Sequence, residues 1–342
     1  MRALWITKHG GPNVLQVRET PDPEPKKGEV KIRVKACGLN FAEVSARQGL
    51  YPDAPKPPCI VGYEGAGVIE KLGEGVTAPA IGTRVLFMSR FGGMSDVVVV
   101  PTTQVAKIPD AMTFEEGAAI PVNYLTAMQM LFSIARVRSG DRVLIHMAAG
   151  GVGTAALQLC KTVPGITTFG TASAGKHDYV RSQGCDHVID YRTKDYALEI
   201  KRLTNDEGVD FVFDALGGKD WSKGYSILRE GGLLVCFGMA NVASPGKANW
   251  IKAATTFYGR PKFDPFDMMG QNRGVAGLNL GHMWHLQSMI QKSLTDCVAM
   301  YEQGKIKPHL DGVFPFDKAA DAFGRIEHGK NVGKVVLVPT IG

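Results

Sequence analysis

The apolar positions along the chain fall into two regimes. Up to about residue 118, short runs rich in β-branched residues alternate with glycine and proline: Val30-Lys31-Ile32-Arg33-Val34-Lys35-Ala36, Gly67-Val68-Ile69-Glu70-Lys71-Leu72, Arg84-Val85-Leu86-Phe87 and Asp96-Val97-Val98-Val99-Val100. Runs of this kind, bounded by turn residues, predict antiparallel strands. An uncharged stretch, 117–135, follows and reads as a buried helix. Beyond it come continuous apolar runs separated by helical stretches, at 142–148, 166–172, 187–190, 209–213, 233–237 and 275–280. Strands buried on both faces read this way, so the pattern predicts an α/β fold with a doubly wound, parallel six-stranded sheet. The tail returns to mixed character, with helices at 288–303 and 318–328 and a closing strand at 334–338 that is expected to rejoin the first unit. Residues 249–273 read as an irregular lobe inserted between the fifth and sixth parallel strands. Its Phe257, Tyr258, Phe263, Phe266, Met268 and Met269 suit either an apolar pocket wall or packing of the lobe onto its neighbour.

A chain of 342 residues has room for two domains. The expected division is 1–121 with 281–342 for the first, and 122–280 for the nucleotide-binding unit. The formal charge of +6 comes from cations scattered among acids, which argues against a nucleic-acid partner. Six cysteines stand apart, with no C-x-x-C pair, as suits a reducing, cytoplasmic setting. The opening Met1-Arg2-Ala3-Leu4-Trp5-Ile6-Thr7-Lys8 is charged too early for a signal peptide and reads as a first strand. Pro121, Asn123, Thr126, Gln129 and Ser133 interrupt the uncharged stretch, so no transmembrane segment is expected.

The most informative local motif is Val143-Leu144-Ile145-His146-Met147-Ala148-Ala149-Gly150-Gly151-Val152-Gly153, a buried strand leading into a glycine turn and a helix at 154–161. Ala148, Gly150 and Gly153 occupy the three positions of the G-x-G-x-x-G fingerprint, with alanine in the first. A pyrophosphate held there lies against backbone N–H groups at the positive end of a helix, and a β-carbon would intrude. Gly151 and Val152 complete the turn. Where NAD sites place an acid about 20 residues further on, this chain has Thr171, Ser173 and Lys176, hydroxyls and a cation suited to a 2′-phosphate. NADPH is therefore the expected cofactor, against the plainer reading of Lys176 as a solvated surface lysine.

The segments Gly38-Leu39-Asn40-Phe41-Ala42-Glu43-Val44-Ser45-Ala46-Arg47-Gln48-Gly49-Leu50-Tyr51 and Gly62-Tyr63-Glu64-Gly65-Ala66-Gly67-Val68 resemble the paired N-terminal signatures of zinc-free quinone oxidoreductases, within the medium-chain dehydrogenase/reductase superfamily. The resemblance covers essentially the whole chain, to Gly329-Lys330-Asn331-Val332-Gly333-Lys334, and Gly274-Val275-Ala276-Gly277-Leu278-Asn279-Leu280-Gly281-His282-Met283-Trp284 resembles the VAT-1-like branch. It implies a β-rich GroES-like catalytic domain built from both chain ends beside a Rossmann domain, and a homodimer joined through the sixth strand. It further implies that Asn123 and Thr126 lie beside the nicotinamide, Tyr191 near the adenosine phosphate, Gly217 and Phe237 along the cofactor, and Asn331 at the nicotinamide end.

In the zinc alcohol dehydrogenases a cysteine and a histidine hold the catalytic metal where this chain has Asn40 and Tyr63, and their four-cysteine structural cluster is missing. His282-x-x-His285 has a spacing that could set two imidazoles on one helical face, but no third ligand is near in sequence. No metal is expected. Without one, the acceptor must take hydride readily, as conjugated carbonyls do, and the oxygen that gains charge needs donors placed beforehand. Asn40, Tyr51 and Tyr63 are the candidates, against the plainer readings of Tyr51 as a loop hydroxyl and Tyr63 as filler of the vacated metal space. The substrate is then a quinone or an enone. Two alternatives stand beside it: an enoyl reductase acting on thioester or lipid substrates, and a cofactor-binding, membrane-associated protein with little turnover.

Overall fold

The β-branched runs of the first third pair antiparallel with one another in two sheets, the larger of which is mixed because two strands from the tail run parallel in it. Numbering strands in chain order, β1 (Arg2–Ile6), β2 (Leu15–Glu19) and β4 (Cys59–Ile60) make a small sheet in the order β2-β1-β4. A seven-stranded sheet is built from β3 (Glu29–Leu39), β5 (Glu64–Leu72), β6 (Arg84–Met88), β7 (Val97–Pro101), β8 (Val105–Lys107), β15 (Leu310–Pro315) and β16 (Lys334–Val338). Its order is β15-β16-β3-β5-β6-β8, with β7 also pairing β3. The closing strand β16 runs antiparallel to β3 with Val335 opposite Leu39 and Val336 opposite Gly38, so both chain ends build one sheet. Val30, Ile32, Ile69, Phe87, Phe316, Phe323 and Leu337 fill its core.

The continuous apolar runs form the second sheet: β9 (Arg142–Ile145), β10 (Thr167–Ala172), β11 (His187–Asp190), β12 (Val209–Asp214), β13 (Leu228–Cys236) and β14 (Gly274–Gly277). All are parallel, in the order β11-β10-β9-β12-β13-β14. Direction of growth reverses between β9 and β12, the switch point at which such sheets receive nucleotides beyond their carboxyl ends. The structure, a computed structural model describing residues 1–339, divides by contacts into two units. One comprises Met1–Leu125, Ser244–Ala248 and the chain from Leu280 onward; the other comprises Thr126–Ala243 and Asn249–Asn279. The short segment Ser244–Ala248 joins the first because Gln48 Nε2 donates to the Ser244 carbonyl at 2.7 Å and Arg47 Nη1 to the Gly246 carbonyl at 3.1 Å.

Several expected elements differ in detail. The uncharged stretch is not one helix. A short helix, Phe114–Ala118, is capped by Thr113, whose side chain accepts from the Glu116 N–H at 3.1 Å. Pro121 then opens a second helix, Pro121–Met128, as its fixed φ and missing N–H favour, and Gln129–Ile134 widens into a π-helical turn. No helix among the described residues is long and apolar enough to cross a membrane. The lobe expected to be irregular holds two helices, Trp250–Tyr258 and Pro265–Gln271, capped by the side chains of Asn249 and Asp264. Phe263 and Met268 pack on the core of their unit, whereas Phe257, Tyr258, Phe266 and Met269 are exposed. His282 and His285 do not share a helical face, because the 3-10 turn ends at His282, whose Nε2 lies 2.8 Å from Asp53 Oδ2.

Candidate functional site

Strand β9 stops at Ile145, three residues before the expected end, because the chain turns sharply at Met147, a non-glycine residue at φ 54°. The Met147 carbonyl accepts the Gly150 N–H at 2.8 Å, and the Gly150 carbonyl accepts the Thr154 N–H at 2.8 Å, so Gly150 caps a helix spanning Gly151–Cys160. The helix thus begins three residues earlier than expected. Its first-turn N–H groups, on Gly151, Val152 and Gly153, have no intrahelical acceptor and present a positive end to an anion. A β-carbon on Gly153 would sit 2.5 Å from the Met147 carbonyl oxygen and 2.7 Å from the Ala148 Cα, so only glycine lets helix and turn approach this closely. Ala148 is accommodated in the first fingerprint position by Gly170 on the neighbouring β10, where a β-carbon would lie 2.8 Å from the Ala148 methyl. The turn is cradle-shaped, and a diphosphate fits its donors.

Other residues expected at the cofactor lie at the same carboxyl edge. Ala172 of β10 is level with Asp190 of β11, and Asp214 of β12 with Cys236 of β13, which brings Ser173, Tyr191, Gly217 and Phe237 just past the ends of adjacent strands. Lys176 ends the 3-10 turn that Ser173 begins. Tyr191 is exposed, with the Arg192 guanidinium 6.0 Å from its ring. Thr171 is buried instead, and its hydroxyl is used inside the turn, against His146 Nδ1 at 3.0 Å and the Met147 N–H at 3.3 Å. Asn123 and Thr126 are both buried on the helix Pro121–Met128, and the Asn123 amide donates to the Ala119 carbonyl at 3.3 Å.

The first unit gathers a second constellation. Asn40 follows β3, Glu64 opens β5 and Lys334 opens β16. Asn40 Nδ2 donates to Glu64 Oε1 at 2.8 Å, Lys334 Nζ donates to Asn40 Oδ1 at 2.6 Å, and Lys334 also bonds Glu64 Oε1 directly. The other Glu64 oxygen accepts the Val122 N–H at 2.7 Å. Glu64 and Lys334 are buried, while Asn40 is partly exposed. Gly38 makes room for this packing: a β-carbon there would lie 2.5 Å from Glu64 Oε1. Tyr51 and Tyr63 meet edge to face with ring centroids 6.3 Å apart, and Phe91, at φ 75°, sets its ring 5.2 Å from Tyr63. Tyr63 is buried and, among the described residues, its hydroxyl has no partner in hydrogen-bond geometry, although the Tyr51 hydroxyl is near enough to influence its proton affinity. Burial pushes both phenols up, which keeps them protonated donors at neutral pH. Asn331, in the loop before β16, donates its amide to the Gly333 carbonyl at 3.1 Å.

Beside Asn40, Tyr51 and Tyr63 the structure sets three residues not singled out in the sequence, Glu64, Lys334 and Phe91. The usable signal was an acid and a lysine in otherwise apolar strand runs, Tyr63-Glu64-Gly65-Ala66 and Gly333-Lys334-Val335-Val336. Glu43, on the helix Phe41–Gln48, is also buried and accepts the Asn40 backbone N–H at 2.9 Å. Burial pushes its carboxyl up to about 7 against the pull of Lys334. A carboxyl whose folded pKa is raised holds its proton more tightly than in the unfolded chain, so its stabilising contribution is present at low pH and is lost as pH rises from about 4.5 through about 7. Glu43→Gln is therefore expected to remove a stability loss on the order of a few kcal/mol between pH 5 and 8. Denaturant unfolding at both pH values measures it, and parallel pH profiles for the variant and the parent protein would refute it.

Among the described residues no group of three His, Cys, Asp or Glu side chains is placed to hold a metal ion. A GroES-like unit completed by both chain ends, joined to a doubly wound sheet with a diphosphate cradle, defines an oxidoreductase of the medium-chain dehydrogenase/reductase superfamily. Residues 26–110 match the alcohol dehydrogenase GroES-like domain and residues 183–337 the zinc-binding dehydrogenase family. The chain belongs to the family of VAT-1 homologues: it is 45% identical to the human synaptic vesicle membrane protein VAT-1 homolog over 341 residues, 99% of this chain and 86% of that protein. Among solved structures, the Escherichia coli quinone oxidoreductase complexed with NADPH is similar with a TM-score of 0.87 and 28% identity, covering 99% of this chain and 100% of that one. The CurK enoyl reductase is similar with a TM-score of 0.86 and 28% identity, covering 99% of each chain.

Proposed function

We propose that the protein is a zinc-independent NADPH reductase of quinones or other conjugated carbonyls. Asn40 carries the reading: a neutral amide, tied on one side to a buried lysine and glutamate, stands where a metal dehydrogenase needs a thiolate, and it keeps a donor hydrogen for a substrate oxygen. The first-turn N–H groups of Gly151, Val152 and Gly153 would hold the diphosphate, and Ser173 and Lys176 the 2′-phosphate. When bound, the nicotinamide supplies the hydride. Asn40 and Tyr51 would donate hydrogen bonds to the carbonyl oxygen as it gains charge, and Tyr63 and Phe91 would wall the ring of the acceptor. Asn123, Thr126 and Asn331 would orient the amide end of the nucleotide, with Tyr191 at the adenosine phosphate, Gly217 and Phe237 along the dinucleotide, and Thr171 shaping the loop from within. The same donors would serve a thioester or lipid enone.

The proposed assembly is a homodimer. Strand β14 is one edge of the sheet, and the lobe before it exposes Trp250, Ile251, Tyr258, Phe266 and Met269, apolar side chains that a partner could cover. Six cysteines outside any disulfide, five of them buried, would suit a cytoplasmic setting.

An NADPH-oxidation panel tests the reading. Rapid turnover of ortho- or para-quinones supports it, turnover of enoyl thioesters alone favours the enoyl reductase, and nucleotide binding without any turnover identifies a cofactor-binding protein. Lys176→Ala is expected to weaken NADPH binding about ten- to a hundredfold, the worth of one charge-assisted bond, and to leave NADH binding nearly unchanged. Equal losses for both nucleotides in a fluorescence titration would assign Lys176 to structure.

A further inference from the structure

Asn40 ends a strand that β16 borders in fixed register. Because Val335 lies opposite Leu39, Lys334 falls opposite Asn40, and the bare backbone of Gly38 lets Glu64 close the triangle from β5. The three side chains satisfy one another: Lys334 Nζ to Asn40 Oδ1 at 2.6 Å, Asn40 Nδ2 to Glu64 Oε1 at 2.8 Å, and Lys334 to Glu64. An ammonium can only donate and a carboxylate can only accept, so the two ends of the amide are not interchangeable here. Rotating Asn40 by half a turn would set its NH₂ against the ammonium and its oxygen against the carboxylate, replacing two charge-assisted bonds by two repulsive contacts. The backbone of Asn40 is held as well, through its N–H to Glu43 Oε2 at 2.9 Å. Glu64 and Lys334 are 0% and 3% exposed, so an approaching molecule meets the amide rather than the charges behind it.

We infer that Lys334 is a positioning residue for carbonyl reduction: it locks the Asn40 amide so that the one Nδ2 hydrogen not given to Glu64 is the group offered to the substrate oxygen. The inference rests on the proposed role of Asn40 as donor to the acceptor's oxygen. Lys334 touches neither substrate nor reacting atoms, and its effect passes through Asn40 alone.

A double-mutant cycle tests it. Lys334→Met leaves the Glu64 carboxylate buried without its partner and is liable to unfold, so the working variant is Glu64→Gln/Lys334→Met, which removes both charges and leaves an amide whose orientation nothing dictates. Thermal melting confirms that it folds. With the best quinone of the panel, the double variant is expected to lose about ten- to a hundredfold in kcat, with the KM for NADPH changed less than about twofold, as expected when one oxyanion donor is misaligned. In an Asn40→Ala background the same pair of substitutions is expected to cost almost nothing further, because the group they position is gone. Selective ¹⁵N-asparagine labelling gives a readout independent of turnover: the two Asn40 side-chain amide protons should be well separated in the parent protein and should converge in the variant. Undiminished kcat in the double variant, or an equal loss with and without Asn40, overturns the role of Lys334 while leaving Asn40 as donor. Full activity in Asn40→Ala itself overturns the underlying reading and this inference with it.

Discussion

Replacing Gly153 by alanine will weaken NADPH binding by about a hundredfold, roughly 2.7 kcal/mol. The added methyl would stand 2.5 Å from the Met147 carbonyl oxygen, 2.7 Å from the Ala148 Cα and 2.8 Å from the Ala148 carbonyl carbon, all backbone atoms that cannot rotate aside. Alanine favours a helix over glycine by up to about 1 kcal/mol, so intrinsic propensity pulls the other way and is too small to win. The helix Gly151–Cys160 must retreat from β9, and the N–H groups of its first turn move off the diphosphate. Fluorescence titration measures the affinity, and calorimetry checks that the parallel sheet still melts cooperatively. Unchanged affinity in a folded variant would show that the diphosphate is bound elsewhere.

Removing Glu327 will destabilise the first unit by about 3–5 kcal/mol, the usual consequence of leaving one member of a buried ion pair alone. Arg47 and Glu327 are 0% and 1% exposed, and their contact ties the helix Phe41–Gln48 to the helix Ala319–Glu327, drawn from opposite ends of the chain. Gln48 Nε2 adds a bond to the same carboxylate at 2.9 Å. Burial pushes the Arg47 guanidinium down to about 10, so it remains charged at neutral pH and must be accommodated in the apolar interior. At roughly 2–4 °C per kcal/mol, Glu327→Ala should lower the melting temperature of this unit by about 10 °C. Arg47→Met/Glu327→Ala should recover most of that loss, since an apolar pair avoids the desolvation penalty. A single-variant shift under about 2 °C would mean that water reaches the pair and screens it.

Both variants act on features with different visibility in the sequence. The parallel strands were legible because burial on both faces leaves continuous apolar runs, and β10 to β12 lie within a residue of their expected positions. Their ends were less so. His146, Met147, Ala148 and Ala149 prolong the apolar run of β9 although the chain has already turned, since a turn that approaches a phosphate uses small residues that read like strand. The lobe helices were hidden because Gly259 and Pro261 break the apolar period between them, yet Asn249 and the pair Asp264-Pro265 were available as start signals. Asn40 was reachable through its motif. Lys334 was harder to read, because a lysine opening a strand normally faces water and its apolar neighbours were the one hint of burial; in the structure it is 3% exposed on a strand flanked by β15 and β3.

The insertion of β16 between β15 and β3 also bears on biosynthesis. During translation Glu64, which opens β5, is made 270 residues before its cation Lys334, and β3 earlier still. The nascent GroES-like part must therefore wait with a sheet edge unpaired and an acid uncompensated, while the whole doubly wound unit has already left the ribosome and can fold. Pairing of β16 with β3, and the compensation of Glu64 that comes with it, consequently follows synthesis of the doubly wound unit.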